Sequence, residues 1–403
     1  MKTKTDDKKI EALLTRGVEK VYPSAGWLKK ELKKGKQLTL YLGIDPTGPT
    51  LHLGHAIVLK KMREFQDLGH KLILLIGDFT GMIGDPTDKT ATRQSLTREQ
   101  VLKNAEHYQA QASKFISFSG ANKAELKYNS QWFDRMSMRE VVELSANFSV
   151  QRLLERDMFQ KRMTEGKTIH LHEFIYPLLQ AYDSVVMEVD GEVGGNDQTF
   201  NMLTGRDLMK KMKEREKFVL TTKLLVDPTG KKMGKSEGNM ITLADSAQEM
   251  FGKVMSWPDE LIVRGFELLT DAPEKEIKEI EKGMKSGKVN PRDAKARLAY
   301  QVANFYHGAK EADKAQDDFA KMFKQKETPD DVKEYKIKGK QQNILEILVE
   351  SKLAASKTEA RRLIDGGGVK ANGHAIEGYD VEIIPGKKGV LIQKGKRHFI
   401  KVI

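Results

Sequence analysis

Residues 38–76 switch from one structural period to another and back, and this switch constrains the fold more than any other feature of the chain. Residues 38–44 form a short, nearly continuous apolar run, as expected of a strand buried on both faces. A loop follows, Asp45-Pro-Thr-Gly-Pro-Thr-Leu-His52, whose prolines and glycine exclude regular structure. Residues 54–68 then carry helical periodicity, with Gly69 placed to close the helix, and residues 71–76 are a second apolar run. Strand, loop, helix and strand at this spacing make a βαβ unit. The first half of the chain is therefore predicted to be an α/β domain built on a doubly wound parallel sheet.

The rest of the chain divides by pattern. Residues 97–118 and 138–164 read as long helices, and a helical insertion over about residues 91–170 is expected between halves of the sheet. Residues 185–193 and 220–226 supply further strand candidates, so the α/β part is expected to occupy residues 1–242. Residues 243–324 are helical in pattern, with Pro258, Pro273 and Pro291 marking breaks. Residues 325–342 read as a charged linker and residues 343–403 as a small α+β unit. In that unit Ser356-Lys-Thr-Glu359 is a capping box and Asn372-Gly373 a hairpin turn, with a closing strand over residues 397–403.

Composition limits the chemistry. The 403 residues include no cysteine, which excludes disulfides, thiol catalysis and thiolate metal sites. Lysine and arginine number 69 against 57 acidic residues, for a net charge of +12, a balance suited to polyanionic partners. Residues 1–9 are charged and lack the apolar stretch of a secretory signal, and no apolar run approaches the ~20 residues of a membrane span. A cytoplasmic protein is expected.

His52-Leu-Gly-His55 stands where the strand gives way to the helix. Unpaired amides and the positive end of the helix dipole favour phosphate there, and Gly54 leaves room for a purine. A metal site is the other reading of two close histidines, but no His-Glu-x-x-His pattern is present. A second element, Lys232-Met-Gly-Lys235-Ser236, follows a late strand and places two lysines where they could neutralise a diphosphate. A P-loop would need glycine at position 229, which is Thr229.

In this order and context the two elements resemble the HIGH and KMSKS signatures of class I aminoacyl-tRNA synthetases, with Gly234 at the third position of the second. Tyr41-Leu-Gly-Ile-Asp-Pro-Thr47 and Gly81-Met-Ile-Gly-Asp-Pro86 resemble the tyrosyl branch. So do Tyr176, Gln180 and Asp183, spaced along one helical face, and Gly194-Gly-Asn-Asp-Gln198. The resemblance covers most of residues 38–242, extends thinly into Asn290-Pro-Arg-Asp-Ala-Lys295, and implies a Rossmann-like catalytic fold.

By that resemblance Tyr41 and Asp183 hold a tyrosine phenol, while Asp85, Tyr176 and Gln180 hold its α-ammonium group. Gly43 and Asp45 line the same pocket. Gly195, Asp197 and Gln198 serve the ribose and the tyrosyl carboxylate, and Thr47, His52, Gly54 and His55 serve ATP. Lys232, Lys235 and Ser236 match the family's mobile loop, with Lys89 and Arg93 as further loop cations. The substrates implied are L-tyrosine, ATP with Mg²⁺ and tRNA(Tyr); no protein-bound metal is expected, and the family implies a homodimer formed through the insertion. The nearest rival is the tryptophanyl branch, against which Tyr41 with Asp183 argues. An idle RNA-binding scaffold is another alternative, and the intact His52, His55, Lys232, Lys235 and Asp197 argue against it.

The last unit resembles the S-four type of RNA-binding domain in Leu353-Ala-Ala-Ser-Lys-Thr-Glu-Ala-Arg-Arg-Leu-Ile364 and Gly368-Val-Lys-Ala-Asn-Gly373. Lys357, Arg361 and Arg362 fall within two turns of its helix, and the resemblance points them at RNA phosphates.

Overall fold

A computed structural model describes residues 3–85, 96–226, 240–321, 332–337, 339–386, 389–395 and 398–403. The chain divides into two compact units, Met1–Ser246 with Ser256–Val302, and Ala247–Met255 with Ala303–Ile403.

The first unit is organised by a six-stranded sheet in the order β1-β6-β5-β2-β3-β4. The strands are β1 Val18–Tyr22, β2 Thr39–Ile44, β3 Lys71–Ile76, β4 Glu125–Tyr128, β5 Gly191–Gly195 and β6 Phe218–Thr222. β2 through β6 are mutually parallel, and β1 adds an antiparallel edge against β6. From β2 the chain winds outward to β3 and β4, then returns to place β5 on the other flank of β2. The order therefore reverses between β2 and β5. In an open parallel sheet the loops beyond the carboxyl ends of such strands bound a crevice suited to ligands.

The centre of the sheet is set by side-chain burial. β3 presents Leu72, Ile73, Leu74, Leu75 and Ile76, all at most 1% exposed, each contributing about 1.5–3 kcal/mol by leaving water. The expected helix runs from Leu53 to Asp67, with His52 as its N-cap and Gly69 following at φ 93°. It buries Ala56, Leu59, Met62 and Phe65, and Phe65 stacks on Phe218 of β6 at 5.9 Å. Gly191 allows β5 to lie against that same ring, since a Cβ there would come within 2.1 Å of Phe218.

Several boundaries differ from the sequence reading. The stretch expected as a helical insertion contains β4, between the two helical segments expected there, a short strand at the sheet edge with two charged residues and only partial burial. Edge strands need no continuous apolar run, so pattern gave no sign of it. The long helices expected there are broken into Arg98–Ala105, Tyr108–Ala112, Met138–Ser145, Val150–Leu154 and Asp157–Thr164. The strand expected over residues 185–193 begins only at Gly191, because Leu171–Val186 continues as helix and buries Leu178, Leu179, Ala181 and Val185. β6 lies upstream of its expected position, over Phe218–Thr222.

From Ala247 to Ala320 every element is a helix: Ala247–Met255, Leu261–Leu269, Glu274–Lys285, Pro291–His307 and Ala309–Ala320. In the second unit, β7 (Lys333–Tyr335) pairs in parallel with the last strand, β13 (His398–Val402), although it was expected to be linker. Its charged residues hid a main-chain pairing that Tyr335 reinforces through its hydroxyl to Gln342 at 3.2 Å and Glu350 at 2.6 Å. β8 (Gln342–Asn343) pairs with β11 (Glu382–Ile383). The hairpin of β9 (Val369–Ala371) and β10 (His374–Ala375) turns on Asn372 and Gly373, both with positive φ, and β12 (Val390–Lys394) joins β9 to β13. The helices Ile344–Glu350 and Lys357–Asp365 cover this sheet and contribute Ile344, Ile347, Leu348, Ala360 and Ile364 to a core of its own. Among the described residues no helix is long and apolar enough to cross a membrane.

Candidate active site

The polar residues of the first unit converge on the crevice implied by the strand order. β2 carries Tyr41, which is fully buried, and leads into Asp45 at its carboxyl end. The helix Leu171–Val186 supplies Tyr176, Gln180 and Asp183. Its periodicity turns these three toward one side, where each finds a polar partner. Tyr176 donates its hydroxyl to Asp45 Oδ2 at 2.8 Å. Gln180 donates through Nε2 to Glu192 Oε1 on β5 at 3.1 Å. Asp183 accepts from the Trp132 indole at 2.9 Å and from Asn129 at 3.5 Å. Asn129 is itself held by Thr80 at 2.9 Å.

Burial without full compensation shifts these groups. Asp45 is pushed up to about 7 by burial, against the hydrogen bonds from Thr80 and Tyr176 and with a further push from Asp85 and Asp78. Burial also raises Asp183 well above the usual carboxylate range, opposed by its bonds from Trp132 and Asn129. Tyr41 and Tyr176 are raised well above an ordinary phenol, first by burial and then by nearby carboxylates. Concentrated shifts of this kind in a crevice mark a candidate functional site.

The His52–His55 element has a defined protonation. His52 Nδ1 accepts from the Gly54 amide at 3.1 Å, and His55 Nδ1 accepts from the His52 amide, also at 3.1 Å. A ring nitrogen that accepts carries no proton, so each neutral imidazole bears its hydrogen on Nε2. Burial, and then the neighbouring His52, hold His55 well below the usual histidine range. The rings lie 3.9 Å apart, and a Cβ on Gly54 would come within 2.8 Å of His52. Main-chain bonds from Leu53 to Ile241 at 3.1 Å and from Leu243 to Leu51 at 2.8 Å bring the residues that follow the second motif onto this loop. Lys232, Lys235 and Ser236 lie outside the described residues, as do Lys89 and Arg93.

On the other flank, Gln198 donates to Asp85 Oδ2 at 2.7 Å and accepts from Asn201 at 3.0 Å. Asp85 thus contacts Gln198, while Tyr176, expected as its companion, bonds Asp45. Asp197 lies close to Gly195, where an added Cβ would meet its Oδ1 at 2.5 Å. Gly43 and Thr47 are exposed. The structure also shows contacts that sequence reasoning missed: Thr80, Asn129 and Trp132 around the two aspartates, and Ser184, Glu192 and Lys217 beside Tyr41 and Gln180. Ser184 and Glu192 could have been noticed as polar residues within apolar segments. Trp132 and Asn129 gave no signal, because only the topology brings β4 and its loop to this end of the sheet. Among the described residues no group of three or more His, Asp or Glu is placed to hold a metal ion.

In the second unit Lys357, Arg361 and Arg362 are all exposed on one helix. Lys357 bonds Glu346 at 3.0 Å, and Arg361 lies 5.7 Å from the centre of the Tyr379 ring.

Comparison with known proteins covers nearly the whole chain in sequence and about four-fifths of it in structure. Residues 33–324 match the family described as tRNA synthetases class I (W and Y), and residues 323–402 match the tyrosine–tRNA ligase SYY-like C-terminal domain. The chain is 46% identical to the tyrosine–tRNA ligase of Thermotoga maritima, covering 97% of this chain and 96% of that one. It is 43% identical to tyrosine–tRNA ligase 2 of Clostridium acetobutylicum, covering 99% of each. A C-terminally truncated mitochondrial tyrosyl-tRNA synthetase from Coccidioides posadasii superposes with a TM-score of 0.63 at 26% identity, over 78% of this chain and 92% of that one. The tyrosyl-tRNA synthetase of Archaeoglobus fulgidus, solved with L-tyrosine, shares the fold with a TM-score of 0.60 at 21% identity, over 77% and 99%. A parallel sheet that reverses at β2 and β5, a histidine-capped helix at its crevice and near-full-length similarity to ligases of one name lead to one conclusion: the chain belongs to the tyrosine–tRNA ligase family.

Proposed function

We propose that this protein activates L-tyrosine with ATP and transfers the tyrosyl group to the 3′ end of tRNA(Tyr). The observation that carries the residue assignment is the helix Leu171–Val186, whose Tyr176, Gln180 and Asp183 all make polar contacts at the crevice of the sheet. Tyr41 and Asp183 would receive the phenol; Asp85, Tyr176 and Gln180 the α-ammonium group. Gly195, Asp197 and Gln198 would serve the ribose and the carboxylate, with Gly43 and Asp45 lining the pocket. A site that hydrogen-bonds the phenol rejects phenylalanine, because its buried polar groups would be left unpaired; tyrosyl enzymes are themselves the standing example of this rule.

In the first step the tyrosine carboxylate attacks the α-phosphorus of ATP, and pyrophosphate departs. No protein nucleophile is required, so catalysis rests on positioning and on charge placed where the leaving group becomes negative. His52 and His55, each with its proton on Nε2, are suited to donate to phosphate oxygens beside Thr47 and Gly54 at the helix N-terminus. Lys232, Lys235 and Ser236 would meet the diphosphate, and Mg²⁺ would arrive bound to ATP. In the second step the terminal hydroxyl of tRNA attacks the adenylate. Lys357, Arg361 and Arg362 would contact the RNA backbone, and a cytoplasmic location is part of the same reading.

A homodimer is part of the same reading. The helices Met138–Ser145 and Val150–Leu154 and the start of Leu171–Val186 expose Met138, Val142, Val150 and Leu171, each more than 60% accessible. These exposed apolar side chains, on and beside the insertion through which the family resemblance implies dimerisation, support that reading. The activity is tested by ATP–pyrophosphate exchange with each of the twenty amino acids. Tyrosine alone should drive exchange; exchange driven by tryptophan, or none, would overturn the proposal.

A further inference from the structure

Lys217, just ahead of β6, is completely buried, and its ammonium group pairs with Glu192, which is 3% exposed. A buried ion pair is a weak source of stability, because desolvation offsets most of the attraction. The bonds leaving this pair are more informative. Lys217 Nζ donates to Ser184 Oγ at 2.8 Å, and Ser184 Oγ shares a hydrogen bond with the Tyr41 hydroxyl at 3.0 Å. Glu192 Oε1 accepts from the Gln180 amide nitrogen at 3.1 Å. Both branches end on residues assigned to tyrosine recognition. Room for the lysine comes from Gly205, inside the helix Thr199–Lys213, where a Cβ would lie 2.7 Å from Lys217 Nζ and 3.1 Å from Ser184 Oγ.

The chemistry of the groups gives the network a direction. A carboxylate paired with an ammonium ion can only accept, so Glu192 draws the NH₂ side of the Gln180 amide toward itself. The Gln180 carbonyl oxygen is then turned away, and among the described residues it is buried with no hydrogen-bond partner. A buried acceptor left without a donor is unfavourable, and the α-ammonium group of an amino acid is a donor of the required kind. In the other branch an ammonium ion can only donate, so Lys217 fixes Ser184 Oγ as an acceptor and anchors the hydroxyl that meets Tyr41.

We propose that Lys217 and Glu192 are positioning residues for tyrosine recognition, Glu192 aiming the Gln180 carbonyl at the α-ammonium group and Lys217, through Ser184, orienting the Tyr41 hydroxyl for the phenol. This inference rests on the assignment of the pocket to tyrosine. Its test is equilibrium binding to the full-length protein, without ATP, of L-tyrosine, L-phenylalanine and 3-(4-hydroxyphenyl)propionate, which keeps the phenol and lacks the ammonium group. Glu192→Gln lets the Gln180 amide turn over, so tyrosine should bind about tenfold more weakly while hydroxyphenylpropionate is unaffected. Ser184→Ala should weaken tyrosine and hydroxyphenylpropionate by a similar factor and leave phenylalanine unchanged. Lys217→Met should combine the two patterns; if it fails to fold, the near-isosteric Glu192→Gln and Ser184→Ala still decide. Equal weakening of all three ligands, or no change with any, would overturn the proposal and leave the pair a packing feature. A wild-type protein that does not bind tyrosine overturns the pocket assignment itself, an outcome seen before any variant is made.

Discussion

The Tyr176 hydroxyl donates to Asp45 Oδ2 at 2.8 Å, tying the middle of the helix Leu171–Val186 to the loop that leaves β2. Thr80 occupies the other oxygen of the same carboxylate, also at 2.8 Å. Asp45 thus joins three segments that are far apart in sequence, and it does so as a carboxyl group with a raised pKa.

This has a consequence for stability. Folded Asp45 keeps its proton up to about 7, whereas an unfolded aspartate releases it near 4. The folded state therefore binds more protons between those values, and stability from this group falls as pH rises through that window. His70, lowered to about 4 by burial, acts in the opposite sense: the unfolded chain binds more protons below about 6.5, so its stability falls as pH falls. The stability of the wild type relative to Asp45→Asn should decline from pH 4.5 to pH 7.5 by on the order of 1–3 kcal/mol. Urea unfolding of both proteins across that range checks the sign; a flat difference would mean that Asp45 titrates normally.

Removing the phenol contacts should change selectivity before it changes turnover. Tyr41→Phe should cost ~0.5–1.5 kcal/mol, mostly in discrimination against phenylalanine. Asp183→Ala should cost more, because it also leaves the Trp132 and Asn129 donors unpaired. The measurement is the ratio of kcat/KM for tyrosine over phenylalanine; an unchanged ratio in both variants would place the phenol elsewhere.

Lys232 and Lys235 should act on the departing diphosphate rather than on bound ATP. Alanine at either position should lower kcat for activation about 10–1000-fold, as loss of a charge that matters chiefly in the transition state does, and leave the KM for ATP within a few-fold. A defect confined to KM would show a ground-state role.

Exposed Val142 and Leu171 should lie in the interface of a homodimer. Changing both to glutamate should yield a monomer by analytical ultracentrifugation, with little loss of fold because both side chains are in water in the isolated chain. A dimer that survives the change would place the interface on another surface.

The C-terminal residues should serve tRNA and not adenylate formation. From Lys340 to Ile403 the chain carries twelve basic against seven acidic residues. Because β7 belongs to the same sheet as β13, a clean truncation removes everything after residue 324, upstream of that strand. Tyrosine-dependent exchange should remain within a few-fold while tRNA charging falls steeply, with a salt-dependent loss of tRNA binding. Lys357, Arg361 and Arg362 changed together to alanine should reproduce part of that loss. Charging at the wild-type level would remove this unit from tRNA recognition.

The sequence by itself determined the elements whose cause is local. The short apolar runs at residues 38–44 and 71–76, bounded by turn residues, read as buried strands, and His52 capping a helix closed by Gly69 follows from neighbouring residues. Asn372-Gly373 turns a hairpin through its own backbone preferences. The helical stripe of Tyr176, Gln180 and Asp183 was legible because 3.6-residue periodicity puts those positions on one face wherever the helix packs. Only the tertiary structure decided what these side chains meet. β4 is short, charged and at an edge, so its place beside β3 depends on an open ladder and not on its composition. β1 and β7 likewise exist because a neighbouring strand had main-chain groups to satisfy. The meeting of Asp45 with Tyr176, of Asp183 with Trp132, and of Lys217 with Glu192 and Ser184 spans 25 to 131 residues of separation. Such pairings follow from the order in which strands stack, and a buried polar side chain in the sequence signals only that a partner is needed.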